Sequence, residues 1–278
     1  MSRSTKVYTK NIQFALTVDE TPPSGLDIKH CHDNYEFLFI MKGHGKYVIE
    51  GVEIPVCPGT LVLARPLEYH CIKINPGEQY ERYRIHLNAS AIPSEVLPVF
   101  EETLRPGSVS AYTALAFSES LVSLFERFLF AANLPEERRE IYMKLLISEL
   151  VMLLSVSAKE LYSADEDELG VRVIKYLNEN IDKNVSLDKL AKRFFVSKYY
   201  LCRAFKKHNG ISVHGYINRK RVMLAKQMIE SGETASGAAY RVGFGDYSAF
   251  YRAYVKTVGE PPSVKGAKGI FEGEENGI

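Results

Sequence analysis

The sequence predicts a multidomain protein: an all-β barrel or sandwich, then a helical hairpin, then an all-α domain in which one two-helix unit is used twice. Three observations predict this order. Short apolar runs broken by Gly and Pro occupy residues 12–88, apolar residues spaced three and four apart begin after Pro93, and residues 186–210 recur in altered form at 234–259. A length of 278 residues also exceeds the roughly 100–200 of a single domain.

The β elements come first. YEFLFIMKG, GKYVIEGVEIPV, GTLVLARP and YERYRIHLN are strand-like runs, with turns expected at Gly43-His44-Gly45, Pro58-Gly59 and Asn75-Pro76-Gly77. Strands this short and this regularly spaced suit a small barrel or sandwich. In the hairpin, FSESLVSLFERFLF sets Leu121, Leu124, Phe125, Phe128 and Leu129 at helical spacing. A second helix opens at Pro135, a residue suited to the first helical turn, and spaces Ile141, Leu145, Leu146, Glu149 and Leu153 along it. The pair has apolar surface enough to cover the β domain or a second subunit. The polar, acidic stretch SADEDELG (163–170), ending in Gly170, is the expected linker. These signals divide the chain at 1–92, 93–165 and 166–278.

Charge separates the two halves. Residues 1–165 hold 16 Lys/Arg against 21 Asp/Glu, whereas residues 171–268 hold 19 against 7. A basic block with helical periodicity instead of low complexity is a folded surface for a polyanion, and no solvated charged face needs so large an imbalance. Cys31, Cys57, Cys71 and Cys202 form no C-x-x-C pair, which argues against a zinc ribbon or redox motif. No apolar run reaches the roughly 18 residues of a membrane span, and MSRSTKVYTKN lacks an apolar signal core, so a cytoplasmic chain with no membrane partner is expected.

The repeat reads as a helix-turn-helix. When SLDKLAKRFFVSKYYLCRAFKKHNG is set against TASGAAYRVGFGDYSAFYRAYVKTVG with one extra residue in the later turn, Ala191 meets Ala239, Leu201 meets Phe250, Arg203 meets Arg252, Phe205 meets Tyr254 and Gly210 meets Gly259. The small alanines suit a close helix crossing, and Ser197 and Asp246 or Gly245 suit the caps of the second helices. The outward positions are Lys198, Tyr199, Cys202, Arg203, Lys206 and Lys207 in one copy, and Tyr247, Ser248, Tyr251, Arg252 and Lys256 in the other. Long donors on such a helix reach base edges and phosphates in a major groove, with Arg203 and Arg252 the base readers. Between the copies, Val213 to Ser231 reads as one helix of 19 residues. At 1.5 Å per residue it spans about 28 Å, near the roughly 34 Å of one DNA turn.

These segments, above all VGF-x-D-x-S-x-F and the preceding helix YINRKRVMLAKQMI, resemble the AraC/XylS class of bacterial transcription regulators over about the last 100 residues. The resemblance implies a cupin-like effector barrel in the N-terminal half, and GHGKYVIEGVEIPVCPGTLVLARPLEYH is similar to it. It further implies helices that form a homodimer, a small effector that is commonly a sugar, activation more than repression, and RNA polymerase as a further partner beside double-stranded DNA.

One cluster leaves the chemistry of the barrel open. In KHCHDNYEF, His30, His32 and Glu36 share one parity, and with His70 they match the ligand quartet of metal-binding cupins. The other reading is a sensing pocket in which Glu36, His70 and Arg82 or Arg84 contact the effector, with His32 and Tyr35 near. The sequence reading adopted is a ligand-responsive, sequence-specific DNA-binding regulator, neither an enzyme nor cofactor-dependent. A cupin metalloenzyme with an appended DNA-binding domain, and a non-specific architectural DNA binder, are the rivals.

Overall fold

Residues 2–103, 109–113, 118–156, 160–162, 169–183 and 185–262 are described by a computed structural model. It falls into two units that meet in sequence between Ser163 and Ala164. The linker expected over 163–170 lies outside the described residues except for Leu169 and Gly170.

In the first unit, strands β1 (Ser2–Tyr8), β2 (Ile12–Asp19), β3 (Tyr35–Lys42), β4 (Gly45–Ile49), β5 (Val52–Val56), β6 (Thr60–Ala64), β7 (His70–Ile74), β8 (Tyr80–Leu87), β9 (Val109–Thr113) and β10 (Glu160–Tyr162) build two antiparallel sheets. The larger has the order β1-β2-β8-β3-β6-β9-β10 and the smaller β5-β4-β7. Parity then gives the larger sheet two unlike faces. Phe37 and Phe39 of β3 and Tyr83, Ile85 and Leu87 of β8 join one apolar core with Phe14 and with three helices, α1 (Leu97–Thr103), α2 (Ser118–Phe130) and α3 (Glu136–Val156). Phe125 lies at the middle of it, stacked at 5.1 Å on Phe39, 5.3 Å on Tyr83 and 6.3 Å on Phe14. Glu36, Tyr80, Arg82, Arg84 and His86 take the opposite parity.

The second hairpin helix departs from the expected face. Met143, Leu146, Ile147, Leu150, Val151 and Leu154 are buried, whereas Ile141 and Leu145 are each 62% exposed. Both sets have helical spacing, and the wider apolar stripe, at three positions in each two turns, is the one that fills the core.

The second unit is helical: α4 (Leu169–Glu179), α5 (Leu187–Arg193), α6 (Lys198–Asn209), α7 (Val213–Glu230), α8 (Ala235–Arg241) and α9 (Tyr247–Val258). Gly170, expected to end a linker, sits inside the first turn of α4, where an added Cβ would come within 2.6 Å of the His208 ring. Each repeat is closed by its own caps: Ser186 and Ser197 accept backbone N–H bonds in the first copy, Thr234 and Asp246 in the second. Leu201 and Phe205, matched by Phe250 and Tyr254, face inward, and Gly210 and Gly259 end the second helices in the left-handed conformation.

Arg221, buried on α7, ties the segment after α4 to the turn of the second copy. Its Nε donates to the Ile181 carbonyl at 2.8 Å, Nη1 to the Gly243 carbonyl at 2.8 Å and Nη2 to the Lys183 carbonyl at 2.7 Å. Burial lowers its pKa, with the Asp182 carboxylate opposing. Gly243 is held at φ +88°, and an added Cβ there would lie 2.7 Å from the Asp182 carbonyl, so both backbone and space require glycine.

Candidate functional site

The helix-turn-helix surface is built by burying one stripe of each second helix. What is left outward on α6 is Lys198, Tyr199, Arg203, Lys206 and Lys207, all exposed, with Cys202 half-buried between them. On α9 it is Tyr247, Ser248, Tyr251, Arg252 and Lys256, all exposed. Lys198 Nζ lies 2.7 Å from an Asp188 carboxylate oxygen, an exposed pair that a phosphate can displace. Exposed Tyr200, beside Tyr199, extends this surface and was not among the residues expected from sequence.

The inner face of the β domain holds a buried carboxylate. β3 and β8 run antiparallel with Glu36 opposite His86, and this register brings Glu36 Oε2 to 2.6 Å from His86 Nε2. An ionised Glu36 accepts this bond, with His86 Nε2 as the donor. From β4, Tyr47 donates its hydroxyl to Glu36 Oε1 at 3.2 Å. Burial first, and then the Glu36 charge, push the Tyr47 pKa well above its ordinary value, so it stays a donor. His70 Nδ1 donates to the Glu68 carbonyl at 2.8 Å, which turns Nε2 toward Glu36 Oε1 at 3.8 Å.

The expected residues divide between this group and other places. Glu36 and His70 come together as expected, joined by His86 and Tyr47. His86 shares the parity of Arg82 and Arg84 along β8, the one signal that could have found it; Tyr47, placed by pairing of β4 with β7, had no such signal. Arg82 is an ion-pair partner of Asp19 and lies 4.1 Å over the Tyr80 ring, with half-buried Arg84 between it and His86 on the strand. Tyr80 is fully buried, which raises its pKa against the opposing Arg82 charge. Tyr35, expected near Glu36, is placed elsewhere: adjacent strand residues point to opposite faces, and its ring packs edge-on against Phe100 at 4.9 Å in the helix-side core. His30 and His32 precede β3. His30 is bridged to His70 by two backbone hydrogen bonds, and their rings meet at 4.5 Å.

For a metal, two triads of ligand atoms lie within 4.8 Å: His30, His32 and His70, and His32, Glu36 and His86. The quartet His30, His32, Glu36 and His70 is therefore split over both, and His86 is added to it. Imidazole and carboxylate donors of this kind suit zinc, iron or manganese.

Comparison with known proteins places these two sites in one context. Residues 25–170 match the family model of the AraC-like ligand binding domain, and residues 190–265 match a helix-turn-helix domain. The chain belongs to the AraC family. It is 29% identical over 223 residues to the uncharacterized HTH-type transcriptional regulator YbfI of Bacillus subtilis, covering 79% of each chain. To the HTH-type transcriptional activator RhaS of Salmonella arizonae it is 24% identical over 246 residues, covering 84% of this chain and 86% of that one. Among solved structures, ToxT of Vibrio cholerae matches 95% of each chain at 12% identity and a TM-score of 0.38. A ligand-binding domain followed by a helix-turn-helix domain makes this AraC-family chain a ligand-responsive transcription regulator whose partners are DNA and a small-molecule effector. No described helix is long and apolar enough to cross a membrane.

Proposed function

We propose that this regulator is a cytoplasmic, non-enzymatic activator that senses a sugar or a similar small polar metabolite through the inner face of its β domain. The observation that carries the reading is the buried Glu36 carboxylate, ringed by Tyr47, His70 and His86, with Tyr80 and two arginines on the same face. A sugar hydroxyl both donates and accepts. It can give a proton to the carboxylate while taking one from an imidazole or guanidinium, and the Tyr47 and Tyr80 rings would wall such a pocket. In a thermal-shift screen of mono- and oligosaccharides on the full chain, the matching sugar at 100 times its Kd should stabilise the ligand-binding unit by about 2.7 kcal/mol. Glu36→Gln should remove that shift. A shift that survives Glu36→Gln would refute the pocket, and a screen in which no saccharide acts would refute the sugar reading. Stoichiometric zinc, iron or manganese in the purified protein would favour the metal reading of the two histidine triads instead.

Dimerisation through the hairpin helices accompanies this reading. Ile141, Leu145, Met152 and Val156 are 62%, 62%, 49% and 71% exposed on α3 and lie on one stripe of that helix. Two such stripes packed together would bury them. Light scattering should find a dimer for the wild-type chain and a monomer for the pair Ile141→Glu with Leu145→Glu; a dimer that withstands both charges places the contact elsewhere.

The recognition helices are read as α6 and α9. α7, 18 residues and so about 27 Å long, would hold them on one side of the duplex for successive major grooves. Arg203→Ala should cost about 1–3 kcal/mol on the specific site and relax its sequence preference. Lys206→Ala should instead weaken all DNA alike and lower the salt slope by about 1. Equal losses for Arg203→Ala on specific and random duplexes would end its role in base reading. An architectural binder would not separate the two duplexes at all. Recruitment of RNA polymerase is the step through which an activator of this kind would work.

A further inference from the structure

Helices α5 and α8 end in the same backbone motif with different residues at its critical position. In the first copy the Val196 N–H donates to the Ala191 carbonyl at 3.0 Å and the Phe195 N–H to the Lys192 carbonyl at 3.3 Å. In the second, Phe244 donates to Ala239 at 3.0 Å and Gly243 to Tyr240 at 3.0 Å. This paired pattern is the Schellman closure, which puts its C′ residue in the left-handed region and so favours glycine. Gly243 meets that demand at φ +88°, but the matching residue is Phe195, at φ +54°. A bulky side chain there carries a steric cost that glycine would not.

Packing gives no return for that cost. Phe195 is 94% exposed, whereas its neighbour Phe194 stands edge-on to Tyr176 at 6.1 Å. Strain and solvent exposure of an aromatic ring at one position point away from a folding role and toward a surface role. The position is also specific. Phe195 precedes the Ser197 cap and Lys198 and Tyr199 at the start of α6, so it is continuous with the DNA-facing surface, and exposed Lys192, Arg193 and Lys198 surround it in sequence with positive charge.

We propose that Phe195 is a DNA contact, an apolar foot that rests on deoxyribose or a thymine methyl at the edge of the groove entered by α6. It would position that helix by excluding water from the backbone it touches, beside the lysines that grip phosphates. The inference rests on the reading of α6 as a recognition helix.

The test sets stability against affinity, using the full chain and a duplex that the wild-type chain selects from a randomised pool. Phe195→Gly and Phe195→Asn both put a residue at home in the left-handed region, so their melting temperatures should equal or exceed that of the wild type. Their affinities should nevertheless fall about three- to tenfold, the range for losing part of a buried aromatic surface. The dependence of log affinity on log salt should keep its slope, since an apolar contact releases no counterions. Phe195→Tyr should bind within about twofold of wild type, a difference below half a kcal/mol. Lower melting temperatures for both variants would assign Phe195 to the fold and overturn the proposal. Unchanged affinity would overturn it too, and if transcription activation then falls, the ring serves a protein partner. Arg203→Ala in the same assay separates the two claims: an effect there with none at Phe195 overturns this inference alone, and no effect at either overturns the placement of α6 as well.

Discussion

Replacing Arg221 by methionine is expected to destabilise the C-terminal unit by about 2–4 kcal/mol, because hydrogen bonds to a charged donor are worth roughly 1.5–3 kcal/mol each and water replaces part of that at part-buried carbonyls. Three carbonyls, those of Ile181, Lys183 and Gly243, converge on this one guanidinium. Methionine fills most of the volume but donates nothing, so each part-buried carbonyl would lose a charged donor that water replaces only in part. Lysine keeps the charge, but it lacks the planar fork that meets three acceptors at once, so Arg221→Lys should fall between the two. Because the three carbonyls belong to the loop after α4 and to the turn of the second repeat, the loss should loosen that repeat against the loop that leads into the first. DNA binding should then weaken although no DNA-facing side chain has changed. Chemical denaturation followed by far-ultraviolet circular dichroism measures the first effect, and anisotropy of a labelled duplex the second. A helical transition within about 1 kcal/mol of wild type, the worth of one ordinary hydrogen bond, would show that Arg221 is not the clasp.

Phe125→Ala should cost the ligand-binding unit about 3–5 kcal/mol, as removal of a fully buried aromatic does when its surroundings relax only in part. The ring is parallel to within 8° of Phe39 and within 5° of Tyr83, so with Phe128 on Phe14 it joins α2 to the sheet. The β face and the three helices share this core, and the hole would loosen both sides of it. Phe125→Leu keeps most of the volume and should lose less. If Phe125→Ala melts with the wild type, the helices do not depend on this face of the sheet. The inner face with Glu36 is on the other side of β3, so a partly folded variant that still shows sugar-dependent stabilisation would separate the pocket from the core.

Local signals carried much of this architecture. The repeat was legible because burial acts on both copies alike: Leu201 and Phe250, and Phe205 and Tyr254, are pairs of inward residues set by helical period and close packing. Caps were legible for a related reason, since a serine or aspartate before an apolar helix has one evident use. The hairpin's inward face was not. Period alone allowed two apolar stripes on α3, and which one met the sheet depended on the sheet being there. Glu36 was legible as a polar residue in a β-type run and His70 through the resemblance to metal-binding cupins, whereas His86 and Tyr47 became partners of Glu36 only when strands distant in the chain paired.

Sequence by itself determined the class of this protein: an N-terminal β domain, a basic C-terminal domain with a duplicated helix-turn-helix, and the outward residues of α6 and α9. Each of these rests on short-range spacing, on composition, or on repetition, all of which act within a few turns of chain. Tertiary structure alone decided that Tyr35 turns away from Glu36 while His86 turns toward it, that Arg221 ties the loop after α4 to the second repeat, and that Phe195 stands exposed in a backbone conformation suited to glycine. Those facts depend on register, on close approach and on solvent exposure, which arise only when distant segments meet.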